Sequence, residues 1–172
     1  MHSPATTGPR SDGSAPSAID GVRIRQLEPH RDERGSLTEL LRSDWPEFER
    51  FGQAILTLNQ PGVVRGWHAH RSQTDVIVVI SGRALIGLYD AREDSATRGT
   101  AEGHVVDAAE PRAIFVPPGV FHGYKTLSAS LALIANFPDQ LYDRSAPDEV
   151  RMPPDTAEIP FDWSASQWSE VK

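Results

Sequence analysis

A chain of 172 residues with a formal charge of −7 and no cysteine is sized for one domain around one core. The acidic balance excludes a broad nucleic-acid surface but leaves room for a small anionic ligand held by a few local arginines. The absence of thiols excludes disulfides and thiolate chemistry. No apolar run reaches about 18 residues and no charged-then-apolar leader is seen, so the expectation is a soluble cytoplasmic protein without a membrane partner.

Residues 1–18 are rich in Ser, Pro, Gly and Thr. They carry too little apolar surface to offset the entropy of ordering, and read as a disordered tail before a domain over 19–172. Short strands bounded by turn residues are expected over 22–27, 36–41, 53–59, 63–70, 75–80, 84–89, 104–107, 113–116, 121–126 and 131–137. Residues 44–51 read as a short helix, with Asp44 as its cap and Pro46 in its first turn. A tight hairpin is expected over 80–84, and the polar run 90–99 reads as a loop. The run 75–80 is apolar on both faces after Asp75, so one face is expected to line a barrel and the other to meet a second sheet or a partner chain. From Pro147 the chain is Pro- and Asp-rich and is expected to wrap over the body, with Trp163 and Trp168 as packing residues. Many short strands and little helix predict an all-β sandwich or jelly roll.

Chemistry concentrates in Arg65-Gly66-Trp67-His68-Ala69-His70 and in Pro117-Pro118-Gly119-Val120-Phe121-His122. On a strand, residues i and i+2 share a face, so His68 and His70 are expected to enter one cavity. Paired imidazoles there serve either proton transfer or metal binding. Plainer roles stand beside these: His122 holding its turn, Asp75 pairing with Arg65 or Arg71, and Gly66, Gly82 and Gly119 serving turns or close packing.

These runs resemble the cupins, and more narrowly the dTDP-4-dehydrorhamnose 3,5-epimerase family. The shared pieces are Asp32-Glu-Arg-Gly35 with Glu39, Asn59 before Val64-Arg-Gly-Trp-His68, Gly82, Asp90-Ala-Arg92 with Ser95-Ala-Thr97, Val116-Pro-Pro-Gly-Val-Phe-His-Gly-Tyr-Lys-Thr-Leu-Ser128, and Ile159-Pro-Phe-Asp-Trp163. The resemblance implies a cupin jelly roll, a homodimer, a nucleotide-linked 4-keto-6-deoxy sugar as substrate and no cofactor. It implies that His68 is a base removing a proton next to the ketone, and that Arg34, Glu39, Asn59, Arg65 and His122 line the site. Arg34 or Arg65 would hold diphosphate oxygens by forked contacts.

The chain departs from the family pattern at three places. The family's proton-donating Tyr falls, counting without gaps, on Ala135, with Asn136 beside it. Asp75 stands where a Lys is usual, and a carboxylate there opposes an enolate. The family's Asp that orients the basic His has no match. His70 is also unusual for an epimerase. The sugar 3,4-ketoisomerases carry a similar Arg-Gly-aromatic-His-Ala-His run and need no Tyr on the opposite ring face. The general cupin metal motifs match from the first His onward, with Asp75 in place of Glu, giving His68, His70, Asp75 and His122 as ligands for one divalent transition metal of the kind that serves an oxygenase. The leading expectation is isomerisation with His68 as base and His70 as acid or relay. The alternatives are a metal-dependent cupin enzyme and a non-catalytic sugar-binding homologue.

Overall fold

The computed structural model describes residues 14–15 and 17–165. Most of the expected tail, and Trp168, lie outside the described residues. Among the described residues thirteen strands form: β1 (Ser14–Ala15), β2 (Arg23–Gln26), β3 (His30–Asp32), β4 (Gly35–Leu37), β5 (Ile55–Asn59), β6 (Val64–Ala69), β7 (Asp75–Ser81), β8 (Arg83–Asp90), β9 (Ala101–Asp107), β10 (Arg112–Val116), β11 (Val120–Thr126), β12 (Ala132–Asn136) and β13 (Val150–Arg151). They pair as a six-stranded sheet, β1-β2-β10-β7-β12-β5, a five-stranded sheet, β13-β6-β11-β8-β9, and the hairpin β3-β4. Between the two large sheets lies a core of Ile24, Ile77, Val79, Ile114 and Ile134 from one, against Ile86, Leu88, Val106 and Val120 from the other. The all-β expectation is met. Ser14–Ala15 pairs with β2 and the Ala18 N–H donates to Glu102 at 2.8 Å.

Strand parity explains β7. Asp75, Ile77 and Val79 face the barrel, while Val76 and Val78 face outward and pack with Leu27, Ala113 and Phe115. The cover over that outer face is this chain's own Leu40, Leu41 and Trp45, rather than a second sheet. This also shortens the strand expected over 36–41 to β4, because Leu40 and Leu41 leave the hairpin to reach the β7 face.

The helix expected over 44–51 does not form; turns close through Trp45 N–H to Arg42 O and Phe48 N–H to Trp45 O. Asp44 does not cap, because the Arg42 guanidinium takes its carboxylate at 2.8 and 2.6 Å. Trp45 meets Phe115 edge-on at 6.5 Å, and Glu47 binds Arg25 at 2.8 Å. Tertiary contacts of alternate residues thus override the local helical preference.

The C-terminal segment wraps over the five-stranded sheet as expected. Gly123, Gly87 and Gly103 lie in register across β11, β8 and β9, leaving a trough without side chains. Trp163 occupies it: a Cβ on Gly87 would stand 2.7 Å from Trp163 and 2.8 Å from Trp67. Trp163 then packs on Trp67 at 4.7 Å between ring centroids, burying the outward side of β6. At the 80–84 hairpin, Gly82 has φ of +76°, a conformation that costs a residue with a Cβ.

Candidate active site

With Trp67 and Ala69 in the outer aromatic cluster, alternation turns His68 and His70 inward from β6. His122 on β11 is the register partner of His68, and Asp75 opens β7 in the opposite sheet on its barrel face. The four side chains converge, each offering a ligand atom within 4.8 Å of the others. Asp75 is wholly buried. Its Oδ2 lies 2.9 Å from His122 Nε2 and 3.3 Å from His70 Nε2, while its Oδ1 accepts a 2.9 Å hydrogen bond from Gln73 Nε2. The alternative of an Asp75 pair with Arg65 or Arg71 is therefore not realised: parity aims the carboxylate at imidazoles.

The backbone fixes the other side of two rings. His70 Nδ1 is 2.6 Å from the Asp148 carbonyl and His122 Nδ1 is 3.1 Å from the Val120 carbonyl. A carbonyl only accepts, so each Nδ1 carries the proton and each Nε2 is the atom presented to Asp75.

The electrostatics separate the histidines. Burial drives the His68 pKa down, His122 adds to the fall, Asp75 offsets only part of it, and the result is about 2. His68 is thus a neutral imidazole at pH 7. For His70 burial also disfavours charge, but the Asp75 carboxylate and the Asp148 carbonyl outweigh it and raise the pKa. Burial would raise the Asp75 carboxyl, yet His122 and His70 hold it well below the usual carboxylate range. A neutral imidazole and a group that favours its charged form therefore share one wall.

The other expected site residues are elsewhere. Arg34 is exposed and pairs with Asp32 inside its own hairpin turn. Glu39 pairs with Arg42 at 2.5 Å. Neither is brought into the histidine cluster by a described hydrogen bond or ion pair. Asn59 is fully buried, donating to Val63 O at 2.8 Å and Thr126 Oγ1 at 3.0 Å. Its Oδ1 accepts from Arg65 Nε at 3.0 Å, so Asn59 orients Arg65. Ala135 pairs with Val78 and shares its outward face. Asn136, paired with Ile77, is the barrel-facing neighbour, and its buried Oδ1 has no hydrogen-bond partner among the described residues. Gln73 and Asp148 are polar groups that sequence reasoning passes over, and Asn136 enters it as the neighbour of Ala135. Only Gln73, two residues from Asp75, carries a local signal. A cavity of about 240 Å³ opens beside His70, lined also by Gln140, Tyr142 and Glu149.

The family model for dTDP-4-dehydrorhamnose 3,5-epimerase matches residues 16–171. The chain belongs to the dTDP-4-dehydrorhamnose 3,5-epimerase family. It is 40% identical over 149 residues to Agl13 of Haloferax volcanii, a probable low-salt glycan biosynthesis epimerase, covering 86% of this chain and 96% of that protein. The dTDP sugar isomerase of Desulfovibrio desulfuricans G20 superposes with a TM-score of 0.82 at 28% identity, over 88% of this chain and 97% of that one. The Legionella pneumophila 3,5-epimerase in complex with dTDP-4-keto-L-rhamnose gives a TM-score of 0.79 at 26% identity, over 88% and 82%. The expected cupin jelly roll and the isomerase family are thereby established. Within this family the chain keeps the His68 and His122 motifs but carries Asp75 and Ala135 where the resemblance leads one to expect Lys and Tyr.

Proposed function

We propose that this protein isomerises a dTDP-linked 4-keto-6-deoxy sugar by moving a proton at a carbon next to the ketone, in deoxysugar or glycan biosynthesis. The observation that carries the reading is the shared wall of neutral His68 and Asp75-paired His70. His68 takes the α-proton, and the C–H electrons pass into the enolate. Protonated His70, its charge held by Asp75, donates to the developing enolate oxygen; as the carbonyl re-forms, His70 recovers a proton from the enol O–H and a ring carbon takes one from protonated His68. Positioned acid–base groups of this kind contribute about 10²–10⁴-fold each. Arg65 binds diphosphate from the rim, and no cofactor is required. The relatives' substrates support the sugar class, and such a substrate places the reaction in the cytoplasm. No helix among the described residues is long and apolar enough to cross a membrane. The working unit is a homodimer.

The test is solvent deuterium incorporation into dTDP-4-keto-6-deoxyglucose, followed by NMR. Exchange at C3 or C5 with inversion marks an epimerase, and migration of the ketone to C3 marks a ketoisomerase. No exchange at any carbon sinks the proposal for this substrate.

A second reading has its own observation. Buried Asp75 Oδ2 has imidazole nitrogens about it, His122 Nε2 at 2.9 Å and His70 Nε2 at 3.3 Å, and three imidazoles with one carboxylate suit a divalent transition metal. His68, His70, Asp75 and His122 would hold it, and it would polarise the sugar carbonyl as a Lewis acid. The purified protein's metal content, and Co²⁺ titration followed by its visible absorption, test this. Protein that is metal-free and takes up no Co²⁺ ends it.

A further inference from the structure

We infer that Asp148 is a positioning residue that sets the ring of His70 and the aim of Asp75 from one place. The inference rests on the isomerase reading for its catalytic consequence, and on geometry for the rest. Asp148 uses both its main chain and its side chain. Its carbonyl accepts His70 Nδ1–H at 2.6 Å. Its carboxylate collects the loop that follows β6: Oδ1 accepts the Arg71 N–H at 3.0 Å, and Oδ2 accepts the Ser72 N–H at 2.9 Å, the Ser72 hydroxyl at 3.0 Å and the Gln73 N–H at 3.1 Å.

Gln73, so held, donates its side-chain amide to Asp75 Oδ1 at 2.9 Å. One residue therefore reaches the His70–Asp75 pair from both ends. The clamp is itself anchored. β13 begins two residues later and pairs Val150 with Ala69 and Arg151 with His68. Gln140 Nε2 donates to the Ser72 carbonyl at 2.7 Å.

Three converging backbone N–H groups require an acceptor with lone pairs on both oxygens. An ionised carboxylate meets that need; an amide of the same shape turns an NH₂ toward at least one N–H. Asp148→Asn is thus predicted to free the loop while keeping the side-chain volume, and Asp148→Glu to retain the acceptors on a longer stem. Groups that fix the tautomer and orientation of a functional histidine are worth about 10–100-fold when removed.

The experiment compares wild type, Asp148→Asn, Asp148→Ala and Asp148→Glu. Turnover of dTDP-4-keto-6-deoxyglucose gives kcat and KM, and ¹H–¹⁵N correlation spectra of ¹⁵N-histidine protein give the His70 tautomer. Circular dichroism confirms that each variant is folded. The expected result is a 10–100-fold loss of kcat in Asn and Ala with KM within about threefold, partial recovery in Glu, and, in spectra taken at a pH where the His70 ring is neutral, mixed tautomers in place of a single Nδ1–H form. Folded Asn and Ala variants with a wild-type His70 signal overturn the inference, whatever happens to kcat. If the wild type itself does not turn over the sugar, the functional reading fails while the tautomer spectra still decide the role of Asp148.

Discussion

His68 and His122 face each other across β6 and β11 with ring centroids 4.0 Å apart, yet the close contact with the Asp75 carboxylate, at 2.9 Å, is made by His122. Asp75 stands in the other sheet and His70 is its second imidazole neighbour. The arrangement leaves His68 beside a ring that repels its charged form, with burial and His122 together exceeding the help from Asp75. The structure thus keeps His68 a neutral imidazole at rest, the form that the proposed base requires.

This has a thermodynamic consequence. The folded-state pKa of His68 is about 2, against about 6.5 in an unfolded chain. As pH falls below about 6.5 the unfolded state binds a proton that the folded state refuses, so stability falls with decreasing pH, by up to about 1.4 kcal/mol per unit from this group. In His68→Asn that contribution disappears. Urea denaturation at pH 7, 6 and 5 is expected to show a shallower acid loss in the variant, and identical slopes would remove the assignment of a depressed pKa. The same substitution is expected to lower turnover by at least about 10²-fold, measured by deuterium exchange; unchanged exchange would rule His68 out as the base.

Asp75→Asn tests the other half of the wall. The carboxylate raises the His70 pKa, so the amide is expected to move the His70 NMR titration to lower pH. The sign for stability is opposite to that of His68. A raised folded pKa contributes stability below the unfolded value, which is lost as pH rises through the folded value. Asp75→Asn should abolish that alkaline loss. Removing one member of a buried charged pair costs about 3–5 kcal/mol, so the variant is expected to unfold at lower urea at pH 6. A variant as stable as wild type there, with His70 titrating unchanged, would disprove the pairing.

How far this site is legible in the sequence follows from the range of the contacts that make it. His68 and His70 can be read from a two-residue spacing, and Asp75 follows from parity with Ile77 and Val79, which aims it at the barrel rather than at an arginine. His122 comes with its turn motif. Asp148 cannot be read this way: it lies in an irregular segment and meets His70 across 78 residues of chain. At Arg34 and Glu39 the motif reads as a site, while within one chain their side chains are taken by local surface ion pairs with Asp32 and Arg42. The strands over 22–27 and 113–116 are clear because alternation or continuous burial marks them. The turn over 44–51 is misread because its conformation is set by Arg25 and Phe115, which no local pattern encodes.

The glycine trough predicts a packing defect. Trp163 and Trp67 close over Gly87 so tightly that a methyl group would stand 2.7 and 2.8 Å from them. Gly87→Ala must displace Trp163, and Trp163→Ala must leave a void of aromatic size. Loss of a buried aromatic costs about 3–5 kcal/mol. Both variants are expected to lower the urea midpoint, and Gly87→Ala to red-shift tryptophan emission as Trp163 is pushed toward solvent. Unaltered emission and midpoint in Gly87→Ala would mean that the segment does not sit in the trough.

The proposed homodimer is tested at the outer face of β5. β5 is an edge strand of the six-stranded sheet, where Leu56 and Leu58 are each 56% exposed and lie opposite Ala135 and Leu133 of β12. Ile80, at the end of β7, adds an exposed apolar group on the same outward face. An open, apolar edge of this kind invites pairing, and a second copy offers the same patch about a twofold axis. Light scattering on the eluting protein is expected to give twice the chain mass of 18.9 kDa for wild type. The Leu56→Glu, Leu58→Glu double variant is expected to elute at the single-chain mass, because each interface would then bury four unpaired carboxylates, two from each copy. A wild type that is monomeric at micromolar concentration, or a double variant that remains dimeric, would place any self-association away from β5.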